Sequence, residues 1–167
     1  MDYEGTRSTA LLSKIDFGNT WLRWCDRSHD WLAESSVSPS DDSLASQWGT
    51  EPMHVREFID AYRNAGARVT QVRRTRSFDV DITAGDTRVN VLIQLGRGIN
   101  TEECYLRIYR GDTQVEGSTL HGIARTILLE QTGVDHLYPR PNLVSRSHLE
   151  VTSRELVPVM QYLAGRY

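Results

Sequence analysis

The stretch that decides the fold of this 167-residue chain is FDVDITAGDTRVNVLIQL, residues 78–95. Apolar and polar residues alternate on both sides of Gly85-Asp86, a pair typical of a two-residue hairpin turn. The turn sets the register of two antiparallel strands, and it predicts the pairs Phe78 with Ile93, Val80 with Val91, and Ile82 with Val89. One face of this hairpin is therefore apolar and buried, and the other is polar.

A second turn at Gly111-Asp112 extends the pattern. The same rule places Val115 opposite Ile108 and Glu116 opposite Arg107, which gives the arginine a salt-bridge partner. The alternation continues back to about residue 68 and forward to about residue 117. We therefore predict an antiparallel β-meander over 68–117.

Helical patterns flank the meander. One helix is predicted from Thr50 to Gly66, and a second starts at Ser118 or Thr119, carries an apolar stripe and ends at Gly133. A last helix begins at Thr152 or nearer Glu155, with Pro158 opposing a start at Thr152. The predicted fold is α+β: one domain over 1–167, with a meander packed on one face by two or three helices.

The N-terminal part is predicted to be a β unit. Residues 9–37 include Gly18-Asn19, a hairpin turn pair, between two apolar runs. Trp21 and Trp24 have opposite parity on such a strand, so one of them would lie either under the serine-rich loop or at a contact surface. Residues 35–49 are rich in serine and aspartate and are predicted to form a mobile loop.

Composition sets limits on location and partners. The chain is 39% hydrophobic and 25% charged, with no apolar run of membrane-spanning length and no secretory signal pattern, which predicts a cytoplasmic protein without a membrane partner. Cys25 and Cys104 match no zinc or redox spacing and are expected to be buried thiols. The net charge of −3 argues against nucleic acid as the main partner.

The sharpest local motif is Asp16-Phe17-Gly18-Asn19-Thr20. It resembles the first phosphate-binding hairpin of actin-like kinases, above all the Asp-x-Gly-Asn-Thr signature of type III pantothenate kinases. The resemblance implies that the backbone of this turn and Thr20 face nucleotide phosphates, while Asp16 serves the metal and the substrate. It covers about residues 9–37, and no second phosphate motif follows. The alternative interpretation is a plain β-hairpin.

Asp79 and Asp81 on one strand and Gln94 on the next form a second arrangement. It is similar to the restriction-endonuclease-like layout of Mrr-type nucleases, but Gly96 stands where that family has lysine. The alternative is two solvated aspartates on the polar face. The five histidines show no zinc spacing, and no nucleophile motif is present. We therefore predict no catalytic residue, no metal and no cofactor.

Surfaces remain as candidate sites. Tyr105, Arg107 and Tyr109 alternate on the polar face of the meander, with Leu92 on the neighbouring strand. Such side chains can anchor a protein partner, stack on nucleic-acid bases, or simply pair across strands. Three further arginines, Arg73, Arg74 and Arg76, form a local basic patch.

The sequence leads to three functional hypotheses. The first is a non-catalytic protein-binding module of the immunity, chaperone or adaptor type, which uses the polar face together with Trp21 and Trp24. The second is a nucleic-acid-binding domain that uses Tyr105, Arg107 and Tyr109 of the polar face together with the basic patch. The third is a nucleotide-binding enzyme built on residues 16–20. Another protein is the expected partner, and a homodimer through an exposed sheet edge is an alternative.

Overall fold

The computed structural model describes residues 5–34, 55–95, 100–136, 140–143 and 146–167. Helices and strands follow one another in the order α1 Arg7–Ser13, α2 Phe17–Glu34, α3 Val55–Asn64, β1 Arg68–Gln71, β2 Ser77–Ala84, β3 Thr87–Leu95, β4 Asn100–Arg110, β5 Thr113–Thr119, α4 Leu120–Thr132, β6 Asn142–Leu143 and α5 Arg146–Ala164. The predicted α+β class is confirmed.

The sheet is the predicted antiparallel meander, with strand order β1-β2-β3-β4-β5 and the two-residue β6 paired with β4. The predicted register of β2 and β3 is confirmed at all three pairs: Phe78 with Ile93, Val80 with Val91, and Ile82 with Val89. Gly85 adopts φ of 60°, a conformation that glycine enters without steric cost. Alternation and turn chemistry therefore determined this part of the fold.

The register predicted for β4 and β5 is wrong. Ile108 pairs with Glu116 and Tyr109 with Gln114, so Val115 is an extra residue in a β-bulge, and Arg107 lies opposite Gly117. The bulge turns Glu116 toward the helices, where it accepts hydrogen bonds from the Ser8 backbone N–H at 3.1 Å and from the Tyr167 hydroxyl. Burial favours the protonated carboxyl, but these hydrogen bonds outweigh it and lower the pKa of Glu116.

The helices cover the apolar face of the sheet. α3 and α5 pack on β1, β2 and β3, while α4 packs on β4 and β5. Buried side chains of the sheet meet them in one core, formed on the strands by Phe78, Val80, Val89, Val91, Ile93, Leu106 and Ile108. The polar side chains of the same strands therefore lie on the opposite face.

Two predicted helices agree with the structure. α4 has the Thr119 side chain as its N-cap, accepting from the Gly122 N–H, and Gly133 as a left-handed C-cap with φ of 71°. α3 ends at Asn64, shortly before Gly66, and its predicted start at Thr50 lies outside the described residues. Caps and apolar spacing thus located both ends of α4 to within one residue or two.

The last helix begins earlier than predicted. α5 starts at Arg146 and continues through Pro158. Pro158 lies on the exposed face of the helix, while Val157 and Met160 are fully buried against the sheet. Tertiary packing of this apolar stripe therefore outweighs the backbone hydrogen bond that proline cannot donate.

The predicted N-terminal β-hairpin is wrong, because residues 7–34 form α1 and α2. Phe17, Trp21, Trp24 and Cys25 follow helical spacing and are all buried. The Trp21 ring lies 6.1 Å from Phe17 and 5.7 Å from Trp24, and the Trp24 indole N–H donates to Glu155. Both tryptophans are core residues and do not form a contact surface.

No helix in the described part of the chain has the length and apolar character needed to cross a membrane. The predicted mobile loop at 35–49 falls outside the described residues.

Candidate interaction surface

The polar face of the sheet is the surface that the fold leaves on the side away from the helices. Its central side chains come from β2, β3 and β4, and the register sets Asp81 beside Asn90, and Asn90 beside Arg107. Leu92 lies next to Tyr105, and Arg88 next to Tyr109, on the same face. We use "the polar face" for the set Asp79, Asp81, Arg88, Asn90, Leu92, Tyr105, Arg107 and Tyr109.

Asn90 is the centre of a hydrogen-bonded network on this face. It is only 1% exposed, and its amide donates to Asp79 at 3.1 Å and to Asp81 at 2.9 Å. Its carbonyl oxygen accepts from Arg107 Nε at 2.8 Å. Each polar group of this buried amide therefore has a partner, as burial requires.

Two arginines close the network at its ends. Arg107 Nη2 lies 2.5 Å from Asp79 Oδ1, and Arg88 Nη1 lies 3.3 Å from Asp81 Oδ1. The Arg88 guanidinium also stacks over the Tyr109 ring at 4.0 Å from its centroid. The partner of Arg107 is thus Asp79, two strands away, and not the predicted Glu116.

A second, smaller group lies further along β4. The Tyr105 hydroxyl donates to Glu103 at 2.9 Å, and Arg140 pairs with the same carboxylate. The hydrogen bond to Glu103 raises the pKa of Tyr105, because ionisation of the phenol would remove the donor. Tyr105 is therefore held in one orientation as a neutral hydroxyl.

A cleft of about 740 Å³ opens at the end of the polar face nearest the β2–β3 turn. Its walls include Arg68, Arg88 and Tyr109 on the polar side, and Gly66 and Ala164 on the helix side. The sequence did not predict the contact of Arg88 with Tyr109, because a register was predicted only for the hairpins at Gly85-Asp86 and Gly111-Asp112. The approach of Gly66 and α5 to this face was not predicted either, because it depends on the path of the chain between α3 and β1.

The structure separates the residues that the sequence singled out. Tyr105, Arg107, Tyr109 and Leu92 lie together on the polar face. Trp21 and Trp24 lie in the core, as described above. The basic patch, Arg73, Arg74 and Arg76, lies at the turn between β1 and β2, where Arg74 has a positive φ of 61°.

The Asp16–Thr20 motif begins α2 and forms no hairpin. The Asp16 carbonyl accepts the first helical hydrogen bond from Thr20, and its carboxylate accepts from the Asn19 amide at 2.8 Å. A Cβ at Gly18 would lie 2.9 Å from Leu128 Cγ, so the glycine permits close packing of α2 on α4. The structural context on which the kinase resemblance depends is therefore absent.

We expect Mg-ATP to leave the melting temperature of the protein unchanged. A ligand that binds only the native state stabilises it, so a phosphate site at residues 16–20 would raise the melting temperature. Differential scanning fluorimetry with and without Mg-ATP measures this directly. A rise that is lost in Asp16→Ala and kept in Asp26→Ala would contradict the expectation and restore the nucleotide-binding hypothesis.

The carboxylates of Asp79 and Asp81 are engaged by Asn90, Arg88 and Arg107. No group of three or more histidine, cysteine or acidic side chains that could hold a metal ion is found in the described ranges. The Gly96 position of the nuclease-like arrangement lies outside them.

No family model, curated protein or solved structure matches this chain.

Proposed function

We propose that the protein is a non-catalytic protein-binding module of the immunity, chaperone or adaptor type, and that the polar face binds its partner. The observation that carries this proposal is the network around Asn90, which fixes two arginines and a tyrosine on the open side of the sheet. Side chains ordered before binding lose less conformational entropy when a partner arrives.

The charge of the network favours protein over nucleic acid. Arg88 and Arg107 are balanced by Asp81 and Asp79, so these four side chains sum to zero. Nucleic-acid binding draws most of its affinity from cations that neutralise several phosphates. A charge-balanced face on a chain with a net charge of −3 therefore has little electrostatic affinity for phosphates.

The composition of the face fits a protein interface. Tyrosine and arginine are the residue types most often found at binding hot spots, and Leu92 adds apolar area beside Tyr105. Arg107 and Asp79 are each 31% exposed, so a partner would bury side chains that are already partly desolvated. This reduces the cost of removing them from water.

A different protein is a better partner than a second copy of this chain. Arg63 donates to the Val69 carbonyl on β1, and β5 carries the bulge at Val115, so both outer strands have features that hinder edge-to-edge pairing. Cys25 and Cys104 form no disulfide, which fits the cytoplasmic location that we include in the proposal.

We expect Tyr105→Ala combined with Tyr109→Ala to abolish recovery of a stoichiometric partner while the fold is kept. Both rings lie on the polar face and outside the core, so their loss removes interface area rather than core packing. Affinity purification of tagged wild type and double variant from the native host, followed by mass spectrometry, measures the effect.

A matched control removes exposed apolar side chains elsewhere. Leu129→Ala with Val134→Ala, 44% and 54% exposed in the wild type, should leave recovery unchanged. Anisotropy with a single-stranded oligonucleotide at low and physiological salt tests the alternative. Micromolar binding that survives physiological salt and disappears in the tyrosine variant would overturn the proposal in favour of nucleic acid.

A further inference from the structure

β2 has an unpaired position beside the cleft. β1 and β2 pair Arg68 with Asp81 and Val69 with Val80, and the same register would bring Gly66 opposite Thr83. Gly66 instead has φ of 103° and donates its N–H to the Arg63 carbonyl at 3.0 Å, in the turn that ends α3. β1 therefore begins too late to cover Thr83, and no described strand takes its place.

The backbone of Thr83 points toward this gap. Ala84 and Thr87 flank the two-residue Gly85-Asp86 turn. In such a hairpin the flanking pair is hydrogen-bonded, so the backbone N–H and C=O of Ala84 point toward β3. Hydrogen-bonding direction alternates along a strand, so the N–H and C=O of Thr83 point away from β3. They form a donor and an acceptor in the wall of the cleft, in line with β1.

The cleft has one surplus positive charge. Among the residues that the structure describes, Arg68, Arg88 and Arg107 line it together with two carboxylates, those of Asp79 and Asp81. Arg88 and Arg107 pair with these aspartates, while the side chain of Arg68 makes no hydrogen bond or ion pair with any residue that the structure describes. A side chain on the polar side of a strand added here would lie between Arg68 and Arg88, where a carboxylate is the complement.

The helix side of the cleft suits small side chains. It is formed by Gly66, Ala164 and the side chain of Gln161, and a Cβ built at Gly66 would meet only Gln161 Nε2, at 4.0 Å, so little room remains for a large side chain. Residues of an extended chain alternate between the two sides. The favoured occupant therefore alternates an acidic residue facing the arginines with small residues facing α5.

We propose that an extended acidic segment of the protein partner adds a short strand at Thr83, continuing the line of β1. The inference rests on the proposed function and specifies how the partner is held. Backbone hydrogen bonds to Thr83 supply the anchor, and the carboxylate between Arg68 and Arg88 supplies the selectivity, as in other cases of strand addition. A single open position is too short for two copies of the chain to pair through it.

The peptide acetyl-Ala-Thr-Ala-Glu-amide tests the inference on the full chain. Its C-terminal glutamate would pair with Thr83, and both alanines would lie on the side of Gly66 and Ala164. The peptide ends at the glutamate because Arg68 already pairs with Asp81, two positions further along β2. We expect millimolar binding in a ¹⁵N NMR titration to about 10 mM peptide, with the largest shifts at the Thr83, Gly66 and Arg68 amides. The same peptide with lysine in place of the glutamate should bind at least fivefold more weakly.

Two changes test the backbone anchor separately. Thr83→Pro removes the outward N–H at a position where an edge strand tolerates proline, and it should weaken binding about tenfold, while Thr83→Ala should bind like wild type. A peptide N-methylated at its glutamate removes the matching donor without changing the protein, and it should lose affinity to the same extent.

The outcomes distinguish this inference from the proposed function. Shifts at Asn90 and Tyr105 without any at Thr83, or N-methylated peptide that binds as well as the parent, would overturn strand addition and leave the polar face as the binding surface. No shift anywhere at about 10 mM would also overturn strand addition. Equal or tighter binding of the lysine peptide would overturn the acidic specificity.

Discussion

Trp21→Ala is expected to reduce the free energy of unfolding by about 3–5 kcal/mol, the range for deleting a buried large aromatic side chain. The indole of Trp21 is 1% exposed and lies between Phe17 and Trp24, at ring-centroid distances of 6.1 and 5.7 Å. Its removal loses apolar burial and leaves a cavity that a packed three-ring cluster closes only in part. Urea unfolding followed by circular dichroism measures the change.

Val134→Ala is the control, because this side chain is 54% exposed and its loss should change stability by no more than about 0.5 kcal/mol. The outcome also tests the sequence-based hypothesis that a tryptophan of this segment contacts a partner. Wild-type stability of Trp21→Ala, combined with reduced partner recovery, would show that the ring lies at a surface. It would then contradict the packing described above.

The meander could be predicted because its signals agree. Side chains alternate with a period of two, so a slip of one residue would expose Val89, Val91 and Ile93 of β3. The Gly85-Asp86 turn independently selects the same register. α4 was located equally well, since the Thr119 cap, the apolar stripe and Gly133 each mark the same helix. The structure of a segment can be predicted from its sequence when local and long-range preferences agree.

The N-terminal helices could not be predicted because the local sequence signals conflict in this segment. Gly18-Asn19 favours a hairpin turn, whereas the spacing of Phe17, Trp21 and Trp24 is also that of a helix face. Contact with a distant segment decides between them. Gly18, in the first turn of α2, fits closely against Leu128 of α4, which is more than 100 residues away in the sequence. Single-sequence patterns do not contain this information.

The candidate site was predicted as a set of positions but not as a network. Strand parity placed Tyr105, Arg107 and Tyr109 on one face. The bulge at Val115 changed the partner of Arg107, because an inserted residue leaves no mark in the alternation that precedes it. The reach of Arg107 across β3 to Asp79 depends on side-chain length and on Asn90 lying between them.

The second large effect concerns Asn90. Asn90→Asp preserves the shape of the side chain, removes the amide that donates to Asp79 and Asp81, and adds a third carboxylate that is almost fully buried. Arg88 and Arg107 already pair with the two aspartates, and Arg68 lies on β1, two strands away, so the new charge has no counterion beside it. We expect a loss of about 3–5 kcal/mol at pH 7, as for other uncompensated buried charges.

The pH dependence of this loss identifies its cause. Burial and two neighbouring carboxylates raise the folded-state pKa of the introduced carboxyl above its unfolded value, so the penalty is complete above the folded pKa and is relieved as the pH falls through it. Unfolding measured at pH 7 and about pH 5, each against wild type at the same pH, should therefore show a smaller difference in stability at pH 5.

Gln114→Glu is the control. It adds a charge at an exposed position opposite Tyr109 and should cost no more than about 0.5 kcal/mol at either pH. An Asn90→Asp variant as stable as Gln114→Glu at pH 7 would show that the network does not hold the face in a fixed arrangement. The main support for partner binding at this face would then be lost.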